Sequence, residues 1–219
     1  MINIELARTN MIEQQVRTSG GVRSQDVLEL LEVVKREHFV PATYANFAFA
    51  ELEIPLPCGE NMLMPMVEAR ILEAVAVKTH ERVLEIGTGS GYMAALLAHR
   101  ARHVVSVEIE PELKALAEKN LAAYDIANVD VKLGSGAQGW GDTGSSYDVI
   151  VISGSLPVLP DNFLRQVNVG GRIAVFIGDA PLTVAQIITR QSATAYETTK
   201  LFETDVKPLR DAAASRFRL

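Results

Sequence analysis

The chain has 219 residues, 48% of them hydrophobic, enough for one substantial core and a squeeze for two. Its formal charge of -6 argues against the basic face that grips a phosphate backbone, so no nucleic-acid partner is expected. A lone cysteine, Cys58, excludes an internal disulfide and a cysteine-rich metal site, and no stretch approaches membrane-spanning length; together these predict a cytoplasmic protein with no membrane partner.

The opening "MINIELARTNMIEQQVR" is interrupted by charge before a signal-like apolar core could form. A segment around Ile12 to Val16 and a helix capped by Ser24 make the N-terminal region helical. The capped helix runs through "QDVLELLEVVKRE", with Val27, Leu28, Leu31 and Val34 on one face and Lys35 and Arg36 in the last turn, where they suit the dipole. From Phe39 to Pro65 the pattern breaks at Pro41, Pro55, Pro57, Gly59 and Pro65 into extended and turning pieces, and so long a loop usually has a function. Cys58, flanked there by apolar and turn-forming residues, reads as a small buried hydrophobe. Pro65 then opens a helix through "MVEARILEAVAV", with Val67, Ile71 and Val75 on a common face.

After Thr79 short apolar runs alternate with amphipathic helices. Strands are predicted at Arg82 to Ile86, His103 to Glu108, Val129 to Leu133, Asp148 to Ile152 and Arg172 to Ile177, with helices at Tyr92 to His99, Pro111 to Tyr124 and Asp161 to Val167. That alternation predicts an α/β fold, a mostly parallel sheet joined by right-handed crossovers with helices on both faces. Past Gly178, "TVAQIITR" and "YETTKLFE" predict an antiparallel C-terminal edge, and "AAASRFRL" a frayed tail.

The informative stretch is "VLEIGTGSGYMAALLA", a strand ending in an acid, three glycines at alternate positions, then a helix. A turn leaving the first strand of such a sheet lies where open α/β sheets bind ligands. The dinucleotide pattern fails at Tyr92, and no phosphate-loop Gly-Lys-Ser/Thr follows. A carboxylate at Glu85 would repel a pyrophosphate and favour a cationic ligand. S-adenosyl-L-methionine carries an ammonium and a sulfonium and no phosphate; its methionine portion would lie against Gly87, Thr88, Gly89 and Gly91, which permit close backbone approach. Glu108, ending the next strand, would hold the ribose hydroxyls.

Other residues carry less. His38, His80, His99 and His103 show no metal-ligand spacing, and no metal is expected. Trp140 and Tyr147 flank the loop after the third strand, where packing under the loop outweighs a place beside the adenine. Asp148 starts the fourth strand with no catalytic role, and Ser153 just past that strand's end is a substrate-side candidate.

These residues resemble the protein-L-isoaspartate O-methyltransferase family. The similarity runs from "MIEQQVR" through "VKREHFVP", "IPLPCGENMLMP" and the glycine motif to "NVDVKLGSG", "YDVIVISG" and "QVNVGGRIAVFIG". It implies a Rossmann-like class I methyltransferase fold as one domain over 1–219: N-terminal helices and acceptor-side loop at 1–78, cofactor-binding core at 79–210, tail at 211–219. It also implies S-adenosyl-L-methionine as cofactor and methyl transfer to the carboxylate of isoaspartyl residues in damaged proteins. Asn61, Met62, Leu63 and Met64 then form the acceptor side, with Ser135 and Gly136 near the adenine.

Two departures stand out. Leu63 occupies the position of the family serine, so no catalytic side chain is assigned, and Ser135 stands where an acid is usual. The ending "DVKPL" likewise replaces a more apolar Val-Pro-Leu. A more apolar acceptor, or a partner-binding module that keeps the fold, remain open alternatives. The sequence does not set the oligomeric state.

Overall fold

Asn3 caps the first helix, α1 (Ile4–Asn10), by accepting the Leu6 N–H, and the chain continues into a wide π-helical segment, Met11–Ser19. Met11, Ile12 and Val16 point inward from it. The computed structural model describes residues 3–141, 144–179 and 181–212.

α2 (Gln25–Val33) starts where Ser24 accepts the Val27 N–H, and the Glu73 carboxylate receives the Arg23 and Ser24 N–H groups. Val27, Leu28 and Leu31 are buried as the periodicity requires. The helix stops four residues before the expected Glu37. Val34 turns to an extended ψ of 93°, the Lys35 N–H goes to the Tyr124 hydroxyl at 3.0 Å, and a 3-10 turn, Arg36–His38, follows. Lys35 and Arg36 therefore do not decorate a helix C-terminus, and Arg36 is drawn inside.

The proline-broken region forms 3-10 turns at Ala42–Phe47 and Pro57–Gly59 and a two-residue antiparallel pair, β1 (Ile54–Pro55) with β2 (Asn61–Met62). Cys58 is not the buried hydrophobe expected. It sits in the left-handed region at φ 60° at the crest of this turn, half-buried, with its thiol 3.6 Å from a Glu112 carboxylate oxygen.

Pro65 opens α3 (Pro65–Val75), which buries Val67, Ile71 and Val75. Then follow β3 (Arg82–Ile86), α4 (Tyr92–Ala98), β4 (His103–Glu108), α5 (Pro111–Ala123), β5 (Val129–Leu133), β6 (Tyr147–Leu156), α6 (Asp161–Gln166), β7 (Val167–Asp179), β8 (Leu182–Arg190) and β9 (Tyr196–Thr204). The sheet order is β5-β4-β3-β6-β7-β8-β9, parallel from β5 to β7 and antiparallel from β7 to β9, as the sequence predicts. β6 and β7 outrun their expected bounds. Val167 opens β7 instead of ending α6: it is β-branched, fully buried and paired with Tyr147.

Alternation along the strands divides the core. Val83, Val104, Val149 and Val151 pack under α4 and the N-terminal helices, whereas Leu84, Ile86, Val105, Val107, Ile150 and Ile152 share the other face with Phe163 of α6. At the amino ends of the strands, Asp148 accepts the Arg82 N–H and the Asn168 amide, both at 2.8 Å. Tyr147 lies at that same end under the Arg82 guanidinium, so it cannot border a site at the carboxyl ends. Among the described residues no helix is long and apolar enough to cross a membrane. The expected frayed tail falls, beyond Ala212, outside the described residues.

Candidate functional site

The carboxyl ends of β3, β4 and β6 open into a cleft, with Ile86, Val107 and Ile109 among its apolar lining. The glycine turn is fastened to β4 by the Gly87 and Thr88 N–H groups, which donate to the Val107 carbonyl at 2.9 and 3.3 Å. Gly89 N–H donates to Glu108 Oε2 at 2.8 Å and the Glu110 N–H to Glu108 Oε1 at 3.0 Å. Glu108 is thus held rigidly in the cleft wall; burial raises its carboxyl, and these N–H groups oppose the rise. Gly91, at φ 85°, caps α4, and a Cβ there would lie 3.3 Å from Ala117 of α5, so close helix packing sets this glycine.

Glu85 stands behind the cleft lining with no exposure at all. The Ser106 hydroxyl donates to its Oε2 at 2.6 Å and the Ser153 hydroxyl to its Oε1 at 3.4 Å, while Thr88 and Ser106 share a bond of 2.6 Å. Burial pushes the Glu85 carboxyl up to about 8, against the pull of the two serines. Ser153, half-buried, lines the cleft and connects it to this acid.

At the far end Gly134, Gly136 and Ala137 line the cleft, and a Cβ on Gly136 would lie 2.7 Å from the Ile86 side chain. Ser135 is exposed and is not part of the lining. Trp140 supports this loop, its ring 2.7 Å from where a Gly134 Cβ would be.

On the other side stand Asn61, Leu63, Ser153 and Gly154. Met62 and Leu63 continue into an adjoining recess with Glu68, Tyr92 and Met93, while Met64 lines neither space. The lip is organised by a residue that sequence reasoning placed elsewhere. Arg36, 1% exposed, donates to the Ala48 carbonyl at 3.1 Å, to the Leu63 carbonyl at 2.7 Å and to the Glu68 carboxylate, with Tyr92 beneath its guanidinium. Burial raises the Glu68 carboxyl, and the guanidinium opposes it. A signal for this pair existed: Glu68 falls in the apolar stripe of α3, at i-3 from Ile71, where an acid demands a partner. Ser106, mid-strand on β4, gave no comparable signal.

The remaining wall is a strap, residues 206–210, bonded to β6 by Ser155 N–H to the Lys207 carbonyl at 2.9 Å and Leu209 N–H to the Ser155 carbonyl at 3.0 Å. It carries Lys207 and Arg210 across the cleft toward Glu60. Among the described residues no group of three metal-ligating side chains comes together, the histidines included.

Comparison with known proteins matches residues 7–213 to the family model "Protein-L-isoaspartate(D-aspartate) O-methyltransferase". A Koribacter versatilis protein-L-isoaspartate O-methyltransferase is 36% identical over 204 residues, covering 93% of this chain and 90% of that protein. A Marinobacter nauticus protein-L-isoaspartate O-methyltransferase 2 is 39% identical over 178 residues, 81% of each chain. Among solved structures, a Plasmodium falciparum beta-aspartate methyltransferase in complex with S-adenosyl-L-homocysteine superposes with a TM-score of 0.81 at 17% identity, over 93% of this chain and 98% of that one. The fold is therefore the Rossmann-like arrangement of these methyltransferases, preceded by N-terminal helices.

Proposed function

The chain belongs to the protein-L-isoaspartate O-methyltransferase family, and from that membership we propose how its own residues serve S-adenosyl-L-methionine-dependent methylation of isoaspartyl carboxylates in damaged proteins. Two observations fit the cofactor to the cleft. Glu108 presents a fixed, buried carboxylate beside the glycine turn, as a hydroxyl-bearing ribose requires. The turn itself, Gly87 to Gly91, carries no cation that would select a phosphate.

In this reading Gly87, Thr88 and Gly89 form the cradle and Glu108 holds the ribose, while Gly134, Gly136 and Ala137 accept the adenine edge. Glu85 acts from behind through Ser153 and Ser106; Gly91 and Ser135 act through the backbone they shape. Asn61, Leu63 and Ser153 face the acceptor, backed by Met62 and Met64. When bound there, S-adenosyl-L-methionine supplies a methyl group made electrophilic by its sulfonium.

The acceptor asks little of side chains, because a carboxylate of pKa about 4 is already ionised at neutral pH and needs no general base. The protein contributes orientation and dryness. Leu63, 7% exposed with its carbonyl held by Arg36, keeps the lip closed against water. Leucine at the family serine position removes one donor to the acceptor, and the strap's cations offer another source of recognition. We read the chain as one methyltransferase domain, residues 1–78 covering the core of 79–210 ahead of the tail at 211–219. We read it as cytoplasmic from its single unpaired cysteine, with a protein or peptide and no nucleic acid as partner.

The buried Glu108 carboxylate beside the glycine turn carries this reading. The test is a calorimetric titration with S-adenosyl-L-methionine, then addition of an isoaspartyl peptide while S-adenosylhomocysteine release is followed against the normal aspartyl peptide. Release that depends on the isoaspartyl linkage is the expected result. Equal release from both peptides would remove the acceptor, and no binding would remove the cofactor assignment.

A further inference from the structure

The acceptor in the proposed function is an anion, yet the cleft is acidic. Glu60 and Glu108 line it with their carboxylates. Among the described residues lining the cleft and its adjoining recess, Lys207 and Arg210 are the only cations, and both belong to the strap. An acceptor carboxylate meets an opposite charge at no other side chain of this lining.

Both cations are already engaged by one carboxylate. Glu60 divides its oxygens between them, Oε2 at 3.0 Å from Lys207 Nζ and Oε1 at 2.7 Å from Arg210 Nε. Lys207 also donates to the Gly59 carbonyl, and Arg210 to the Cys58 carbonyl and the Glu110 carboxylate. The backbone of Lys207 and Leu209 is bonded to β6 through Ser155, and that of Glu60 closes the base of the β1–β2 turn, its carbonyl accepting the Leu56 N–H at 2.7 Å, so only the side chains need move. Rotation of the Glu60 side chain would strip its carboxylate from both cations, while their bonds to the Gly59 and Cys58 carbonyls and to Glu110 keep them in place. The four side chains keep 43%, 40%, 21% and 24% exposure for Lys207, Arg210, Glu60 and Glu110, so exchange with a soluble anion is open.

We propose that Lys207 and Arg210 form the seat of the acceptor's carboxylate, and that Glu60 occupies this seat as an internal stand-in which the acceptor displaces. The inference rests on the isoaspartyl acceptor reading and makes these three side chains specificity-determining. A neutral acceptor gains nothing by displacing Glu60, whereas a carboxylate replaces its interactions one for one.

The test measures binding and turnover separately. Calorimetry, with S-adenosylhomocysteine saturating each protein, compares an isoaspartyl peptide with a twin whose free carboxylate is a carboxamide. The wild type binds the carboxylate peptide more tightly, and added salt narrows the gap. Lys207→Met and Arg210→Met each weaken carboxylate binding about two- to fivefold, the range for an ion pair at a solvent-exposed site, and leave the carboxamide unaffected. Lys207→Arg restores the discrimination, and Glu60→Gln tightens carboxylate binding about threefold by emptying the seat. A wild type indifferent to the carboxylate, methionine variants that keep the preference, or a Glu60→Gln that weakens binding would each overturn the proposal. If the wild type discriminates and its variants behave as stated but no isoaspartyl-dependent methylation occurs, the seat stands and the reading of the activity falls.

Discussion

Replacing Arg36 with methionine keeps a long, largely apolar side chain and removes every N–H donor it carries. Three acceptors then lose their partner at once: the Glu68 carboxylate, 3% exposed, and the carbonyls of Ala48 and Leu63. Removing one member of a buried ion pair costs about 3–5 kcal/mol, because the other charge stays uncompensated in a poorly solvating interior. Against a total stability of about 5–15 kcal/mol this is about a fifth or more. For a chain of this size it lowers the melting temperature by roughly 6–20 °C.

Glu68→Leu in the same background removes the orphaned acid. The double variant therefore recovers much of the loss, with a coupling of about 2–3 kcal/mol in a double-mutant cycle. The assay is urea unfolding followed by Trp140 fluorescence and by circular dichroism, the two transitions coinciding. A loss below about 1 kcal/mol for Arg36→Met, or simple additivity with Glu68→Leu, would refute a buried pair that organises the lip.

Glu85 makes stability depend on pH. Its carboxyl titrates at about 8 in the folded chain against 4.5 without the fold, so between these values the folded state binds the extra proton. Stability is greatest below the unfolded value, falls as pH rises by about 1.4 kcal/mol per unit, and levels off above 8. Urea midpoints at pH 5.5 and 7.5 should converge in Glu85→Gln relative to the wild type; an unchanged difference would reject burial as the cause. For Glu108→Ala, loss of the acceptor for the Gly89 and Glu110 N–H groups and of the ribose carboxylate lowers S-adenosyl-L-methionine affinity at least about 100-fold by calorimetry. Unchanged affinity would withdraw the ribose assignment.

Strands at 82–86, 103–108 and 129–133 and the helix opened by Pro65 were legible because each is written within about ten residues as a period of two or 3.6, with Pro at a helix start. The glycine turn and Glu108 were legible for the same reason: strand end, turn and helix start are contiguous. Local pattern misjudged Arg36, since a cation after an apolar helix face looks like a C-terminal residue until Glu68, 32 positions on, is folded against it. It also assigned Glu85 directly to the ligand, although burial behind Ser153 and Ser106 is a property of three adjacent strands.

By itself the sequence determined the order of elements, the sheet class and the acid-flanked glycine turn, because these depend on spacing along the chain. Only the tertiary structure decided which charges meet: Arg210 reaches Glu60 across 150 positions, and Arg36 finds Glu68 inside the core. Ion pairs act through distance in space, and separation along the chain carries no record of it until the sheet has closed.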